Sequence, residues 1–171
     1  MKINQTVFLM GQQEFGPVID ITDPCYNKDV WCRINGVHIQ EGIYDCYYKI
    51  REKHIELRGD KIKNRTVSAV GIVLDGCMIP TEEQIEYIGE IGVDSGMAGF
   101  FENKPDYTSE EWEEFCNFII ENGGFEQPAW IKPEGFYGVS GNGDGSYAVV
   151  GAKNEDGNYY ALEIRFFDTI V

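Results

Sequence analysis

The chain has 171 residues, of which 43% are hydrophobic and 13% aromatic, enough to build one core without disulfide staples and too apolar for a disordered chain. Twenty-nine Asp and Glu against 14 Lys and Arg leave a formal charge of -15, which repels phosphate backbones and anionic lipid head groups. Direct nucleic-acid binding and membrane association are therefore not expected, whereas a basic protein partner is electrostatically reasonable.

The first sixteen residues carry only the apolar run Val7 to Met10, too short for a signal-peptide core or a membrane span. Five cysteines without a CxxC pair and only two histidines point to reduced thiols in a cytoplasm, with no metal and no cofactor expected. There is no internal repeat, low-complexity tract or Pro/Ser linker, so residues 1–171 read as a single domain.

Alternating or β-branched stretches predict strands at Thr6 to Met10, Val18 to Thr22, Tyr44 to Ile50, His54 to Arg58 and Thr66 to Leu74. Arg58-Gly59-Asp60 and Asp75-Gly76 supply tight turns. Thr81-Glu82-Glu83-Gln84 looks like a capping box, but Ile85, Tyr87, Ile91 and Val93 share strand parity and Gly89 and Gly92 disfavour a helix, so Ile85 to Val93 is read as strand.

A helix is predicted from Ser109 to about Glu121, with Thr108 as N-cap and Glu111 completing a capping box. Trp112, Phe115, Cys116 and Ile119 form its apolar stripe, Tyr107 and Trp112 are spaced for a hydrophobic staple, and Asn122-Gly123-Gly124 stops it. Tyr147 to Lys153 and Asn158 to Phe167 flank Asp156-Gly157 as a hairpin. On its second strand Tyr160, Leu162, Ile164 and Phe166 are expected in the core, with Glu163 and Arg165 facing solvent. The fold class that follows is α+β: a mostly antiparallel sheet, sandwich- or barrel-like, with one main amphipathic helix packed on it.

Three strings stand out as loops at strand ends, where sites tend to be mounted: Asp23-Pro24-Cys25-Tyr26, Val93 to Phe101, and Ser140 to Tyr147. They supply the candidate binding residues Asp23, Cys25, Tyr26, Asp94, Ser95, Ser140, Asp144 and Tyr147, to which Trp31 is added as a core residue or a binding anchor. Asp94 and Asp144, with Ser95, are the candidates for acid/base chemistry, since two neighbouring carboxylates can share a proton; against this, Asp beside Gly routinely caps turns. Asn142-x-Asp144-x-Ser146 opens like a calcium loop but has Tyr147 and Lys153 where Gly and Glu belong. Asp94-Ser95-Gly96 resembles half of an aspartic-protease signature, which would need a homodimer to pair two carboxylates, and the residues after Gly96 depart from it.

The Val-Asp-Ser-Gly-x-Ala-Gly-Phe-Phe and Ser-Gly-x-Gly-Asp-Gly-x-Tyr strings, with the terminal hairpin, resemble the bacterial and phage proteins grouped as domain of unknown function family 4241. The upstream Asp-Pro-Cys-Tyr and Trp31-Cys32 extend the resemblance over nearly the whole length. It implies a cytoplasmic bacterial or phage protein and carries over no catalytic residue. The function expected from the residues is a non-catalytic, acidic interaction protein; the alternatives are a small hydrolase or metal-dependent enzyme using Asp94 and Asp144, or an oligomeric component of a phage assembly. The oligomeric state is open, and each functional reading requires the three strings to gather at one end of the sheet.

Overall fold

In the computed structural model, which describes residues 3–167, alternation of apolar and polar side chains resolves into two antiparallel sheets and one helix. In chain order the strands are β1 (Ile3–Phe15), β2 (Val18–Thr22), β3 (Ile34–His38), β4 (Gly42–Leu57), β5 (Asp60–Leu74), β6 (Glu86–Val93) and β7 (Met97–Phe101). After helix α1 (Ser109–Glu121) come β8 (Ala129–Lys132), β9 (Gly135–Val139), β10 (Gly145–Lys153) and β11 (Tyr159–Arg165). One sheet has the order β1-β4-β5-β11-β10-β6 and the other β3-β2-β7-β9-β8. Face to face they form a sandwich, with residues such as Phe100 and Phe136 from one sheet meeting Tyr44, Ile72 and Ile164 from the other.

The helix adds a third layer. It begins where the sequence predicts, with Thr108 Oγ1 accepting the Glu111 amide and the Glu111 carboxylate accepting the Thr108 amide. Phe115 and Ile119 pack on Met97, Phe101, Trp130 and Tyr137, the outward face of the five-stranded sheet. Because this sheet is covered on both sides, β7 is buried at every position.

Four expectations need correction. Met97 to Phe101 is not loop but the central strand of the second sheet; only Asp94 to Gly96 turns. Tyr44 to Ile50 and His54 to Arg58 are one strand, β4, which folds back through Arg58 and Gly59, both at positive φ (53° and 86°), into β5. The second face of β11 is not open to solvent: Glu163 is 6% exposed, bonded by Tyr47 and paired with Lys49 and Arg165, while Ile79 packs on Tyr47 and Ala161 beside it. The register slips from Ala152↔Ala161 to Lys153↔Tyr159, so Tyr160 bulges out of the alternation and Tyr159 meets the main core in its place. Thr81 to Gln84 does close half a capping box, with the Thr81 amide donating to Gln84 Oε1 at 2.9 Å, yet it ends as a turn before β6.

Candidate functional site

Asp23 is the first residue after β2 and is wholly buried. A carboxylate in that position must be saturated with donors, and this one is. Oδ1 accepts the Cys25 amide at 2.8 Å and the Ser95 hydroxyl at 2.7 Å; Oδ2 accepts the amides of Asp94 and Ser95, both at 2.7 Å. The first bond is an Asx turn, and the other three clamp the β6–β7 turn onto the end of β2. Gly96, at φ 72°, completes that turn and its carbonyl accepts the Ser140 amide at 2.9 Å. Ser140 and Tyr147 both donate their hydroxyls to the Gly143 carbonyl at 2.6 Å. The three strings thus meet in a chain of hydrogen bonds at one end of the sandwich.

The segment between β2 and β3 is braced a second time by buried cations. Arg33, whose side chain has no exposed surface, pairs with Asp20 at 3.0 Å and donates to Asn35 Oδ1 and to the Tyr26 carbonyl. The same carbonyl accepts Lys104 Nζ at 3.1 Å, and Lys104 also donates to the Pro105 carbonyl and lies over the Tyr107 ring at 4.4 Å. Burial, and next the nearby Arg33, bring the Lys104 ammonium down to about 8. The Lys28 amide is held by Asp106 and the Cys32 carbonyl by the Gly92 amide.

On this braced segment Trp31 stands 92% exposed. Of the two roles the sequence allows, core residue or anchor, burial excludes the first for Trp31, whereas Trp130 lies in the layer beneath the helix and donates its indole N–H to the Asn122 carbonyl. Around the segment Asp29, Asp94 and Asp106 are exposed along with Lys28, while Asp23, Arg33 and Lys104 are turned inward.

Asp94 and Asp144 are placed together by sheet register. The β6–β10 pairing runs out at Val93↔Gly145, so the next residue on each strand is an aspartate, and both are exposed. Neither carboxylate caps its own turn; Asp23 supplies that bond for Asp94 and Ser95 through their backbone. Ser95 is a hydrogen-bond donor to Asp23, an acceptor that pulls on its proton but is itself saturated with backbone amides. The Cys25 thiol is pushed well above the ordinary range by burial and then by Asp23, which keeps it protonated. The Tyr26 phenol is raised by burial and then by its side-chain interaction with Asp94. Among the described residues no group of three or more His, Cys, Asp or Glu side chains is arranged to hold a metal ion, and no helix is long and apolar enough to cross a membrane.

Beside the joined loops lies a groove of about 690 Å³, lined by Gly96, Ser140 and Gly143 on one side and by Phe8, Tyr48 and Phe125 on another. Phe8 and Tyr48 stack at 5.3 Å across the β1–β4 pair. Sequence reasoning missed Arg33, Lys104 and Asp20, the residues that fix the Trp31 segment, because nothing in Asn103-Lys104-Pro105 distinguishes a buried lysine from a surface one. No family model, curated protein or solved structure matches this chain.

Proposed function

We propose that this chain is a non-catalytic interaction protein that docks a basic protein partner through the β2–β3 segment, with Trp31 as the anchor. The carrying observation is the contrast on that segment: Asp23, Arg33 and Lys104 are buried to hold its backbone still, and the product of that ordering is a tryptophan 92% exposed. Trp is the side chain most enriched among residues that dominate binding energy, and a rigid mount removes the entropy that docking would otherwise cost. The outward Asp29, Asp94 and Asp106, in a chain of net charge -15, select for a cationic rim on the partner. Bacterial or phage origin and a cytoplasmic setting belong to the same proposal and rest on the Val93 to Phe101 and Ser140 to Tyr147 strings.

The test compares the immobilised chain with its Trp31→Ala variant. A lysate protein with a basic surface, retained at low salt, released by added salt and lost from the variant, supports the reading. Equal retention by the variant, or no salt-sensitive retention at all, overturns it. Light scattering of both chains separates the remaining occupant, since self-association that vanishes in the variant makes the partner a second copy.

A second reading, a small hydrolase working through Asp94 and Asp144, is favoured by the register that sets them side by side at the open end of β6 and β10. Turnover of p-nitrophenyl acetate or phosphate, abolished by Asp94→Asn together with Asp144→Asn, would establish it; activity unchanged in that double variant would discard it.

A further inference from the structure

The outer face of the six-stranded sheet carries a feature that the Trp31 segment does not explain. Arg165 on β11 is flanked by Ala69 on β5 and Ala148 on β10, so the floor on either side of it is low. Two hollows of about 620 and 250 Å³ open there and share Arg51, Arg165 and Phe167 as lining. Most of the charges are matched. Lys49 pairs with Glu163 at 2.7 Å, and Arg165 pairs with Glu163 and donates two bonds to Glu82 at 2.9 and 2.7 Å.

Arg51 is different. Its guanidinium lies over the Phe167 ring at 4.8 Å, and among the described residues it makes no hydrogen bond or ion pair. Its Nε is shut off from solvent without an acceptor. Buried N–H groups find acceptors in the great majority of cases, and this chain is rich in acceptors, with 29 Asp and Glu. Among the described residues around the smaller hollow, Lys49, Arg51 and Arg165 face Glu82 and Glu163, so the described part of a chain of net charge -15 presents here a locally positive surface. The larger hollow adds Asn142 and Ser146 as polar groups and Ala148 and Val150 as apolar ones; Glu90, also on its wall, is engaged by the Ser146 hydroxyl at 3.2 Å.

We propose that the paired hollows bind a small organic oxyanion, a carboxylate or phosphate ester with an apolar or aromatic body. Arg51 is the charged anchor, a planar donor set suited to either oxyanion, and the larger hollow receives the body. The lining of the two hollows includes no residue of the Trp31 segment, and the site stands or falls separately from the partner reading.

Isothermal titration with phenyl phosphate, benzoate and inorganic phosphate tests it on the full chain. Saturable binding of phenyl phosphate or benzoate, tighter than that of inorganic phosphate, is expected, and which of the two binds better identifies the oxyanion. Arg51→Gln weakens binding by about tenfold or more, the loss that follows from removing a charged hydrogen-bond donor. Ala148→Leu, which raises the floor and leaves Arg51 in place, weakens the aromatic probes more than inorganic phosphate. Lys61→Gln, at the exposed tip of the β4–β5 hairpin, leaves binding unchanged. Absence of saturable binding at millimolar concentration, or equal weakening by Lys61→Gln and Arg51→Gln, overturns the proposal.

Discussion

The Asp23 carboxylate accepts both the backbone amide and the hydroxyl of Ser95, each at 2.7 Å, across 72 positions of sequence. Two side-by-side bonds from one residue fix the orientation of the β6–β7 turn as well as its distance. With the Cys25 and Asp94 amides, four donors converge on one buried carboxylate. Asp23→Asn puts an amide NH₂ where a donor already points, so it costs about 3 kcal/mol, a buried charged acceptor being lost with its donors left unpaired. Asp94→Asn, on an exposed side chain, changes stability by less than about 0.5 kcal/mol. Urea unfolding of both variants checks the order; Asp94→Asn costing as much as Asp23→Asn would place the structural charge on the wrong residue.

The same carboxylate bears on Cys25. Burial first, and then Asp23, hold that thiol protonated, and the thiolate is the reactive form. Cys77 is exposed to reagent in the turn after β5. Timed alkylation with iodoacetamide at neutral pH, read by peptide mass spectrometry, is expected to label Cys77 well ahead of Cys25 and of the buried Cys46. Labelling of Cys25 as fast as Cys77 would reveal an activated thiol and contradict this shelter.

Lys104 gives a pH dependence with a definite sign. Its folded value of about 8 lies below the ordinary 10.5, so between these the unfolded chain binds the extra proton. Stability contributed through Lys104 therefore rises with pH across that window and is lowest below it, where the buried ammonium is charged in both states. The raised Cys25 and Cys46 thiols act the other way from about pH 9 upward, since the unfolded chain releases those protons first. The Lys104 effect is isolated by subtracting the urea-derived stability of Lys104→Met from that of the unsubstituted chain. This difference is expected to shift in favour of the unsubstituted chain between about pH 7.5 and pH 9.5; a flat difference would mean that Lys104 is solvated in solution.

How far the fold can be read from residues depends on how many faces each element buries. The helix α1 has one core face and its periodicity is plain, and the Thr108/Glu111 capping box places its start to the residue; β5 and β11 are buried at consecutive positions, Val67 to Val73 and Ala161 to Ile164, and are legible from their β-branched and apolar content instead. The second sheet is sandwiched between the first and the helix, so Met97-Ala98-Gly99-Phe100-Phe101 has no polar alternation to announce a strand. Its glycines look like loop residues but serve close packing: a Cβ at Gly99 would sit 2.2 Å from the Phe136 carbonyl oxygen, and one at Gly135 would sit 2.1 Å from that of Phe100. At the candidate site, Asp23 is legible as a turn residue, while its long-range donors are not, because they follow from the pairing of β2 with β7 rather than from any local pattern. Trp31 is the extreme case, since an aromatic side chain in a loop carries no local signal for whether it points in or out.

Beneath the helix, Tyr137 stacks against Phe101 at 5.7 Å and contacts the rings of Phe115 and Trp130, and its hydroxyl is buried with no hydrogen-bond partner among the described residues. Burial, and then Glu134, raise that phenol well above its ordinary value, so it stays neutral and its unmet polarity is that of an O–H rather than a charge. Tyr137→Phe removes the stranded hydroxyl and keeps the ring, so it is expected to stabilise the chain by about 1 kcal/mol. In a domain of this size that corresponds to a melting temperature higher by roughly 2–4 °C. Trp130→Phe in the same layer should do the opposite, because it deletes an indole that donates to the Asn122 carbonyl at 3.2 Å and leaves a void under the helix. Calorimetry of the two variants decides the matter: a Tyr137→Phe chain that melts lower than the parent would show that the hydroxyl has found water or a partner, and that the layer between sheet and helix is less dry than its packing indicates.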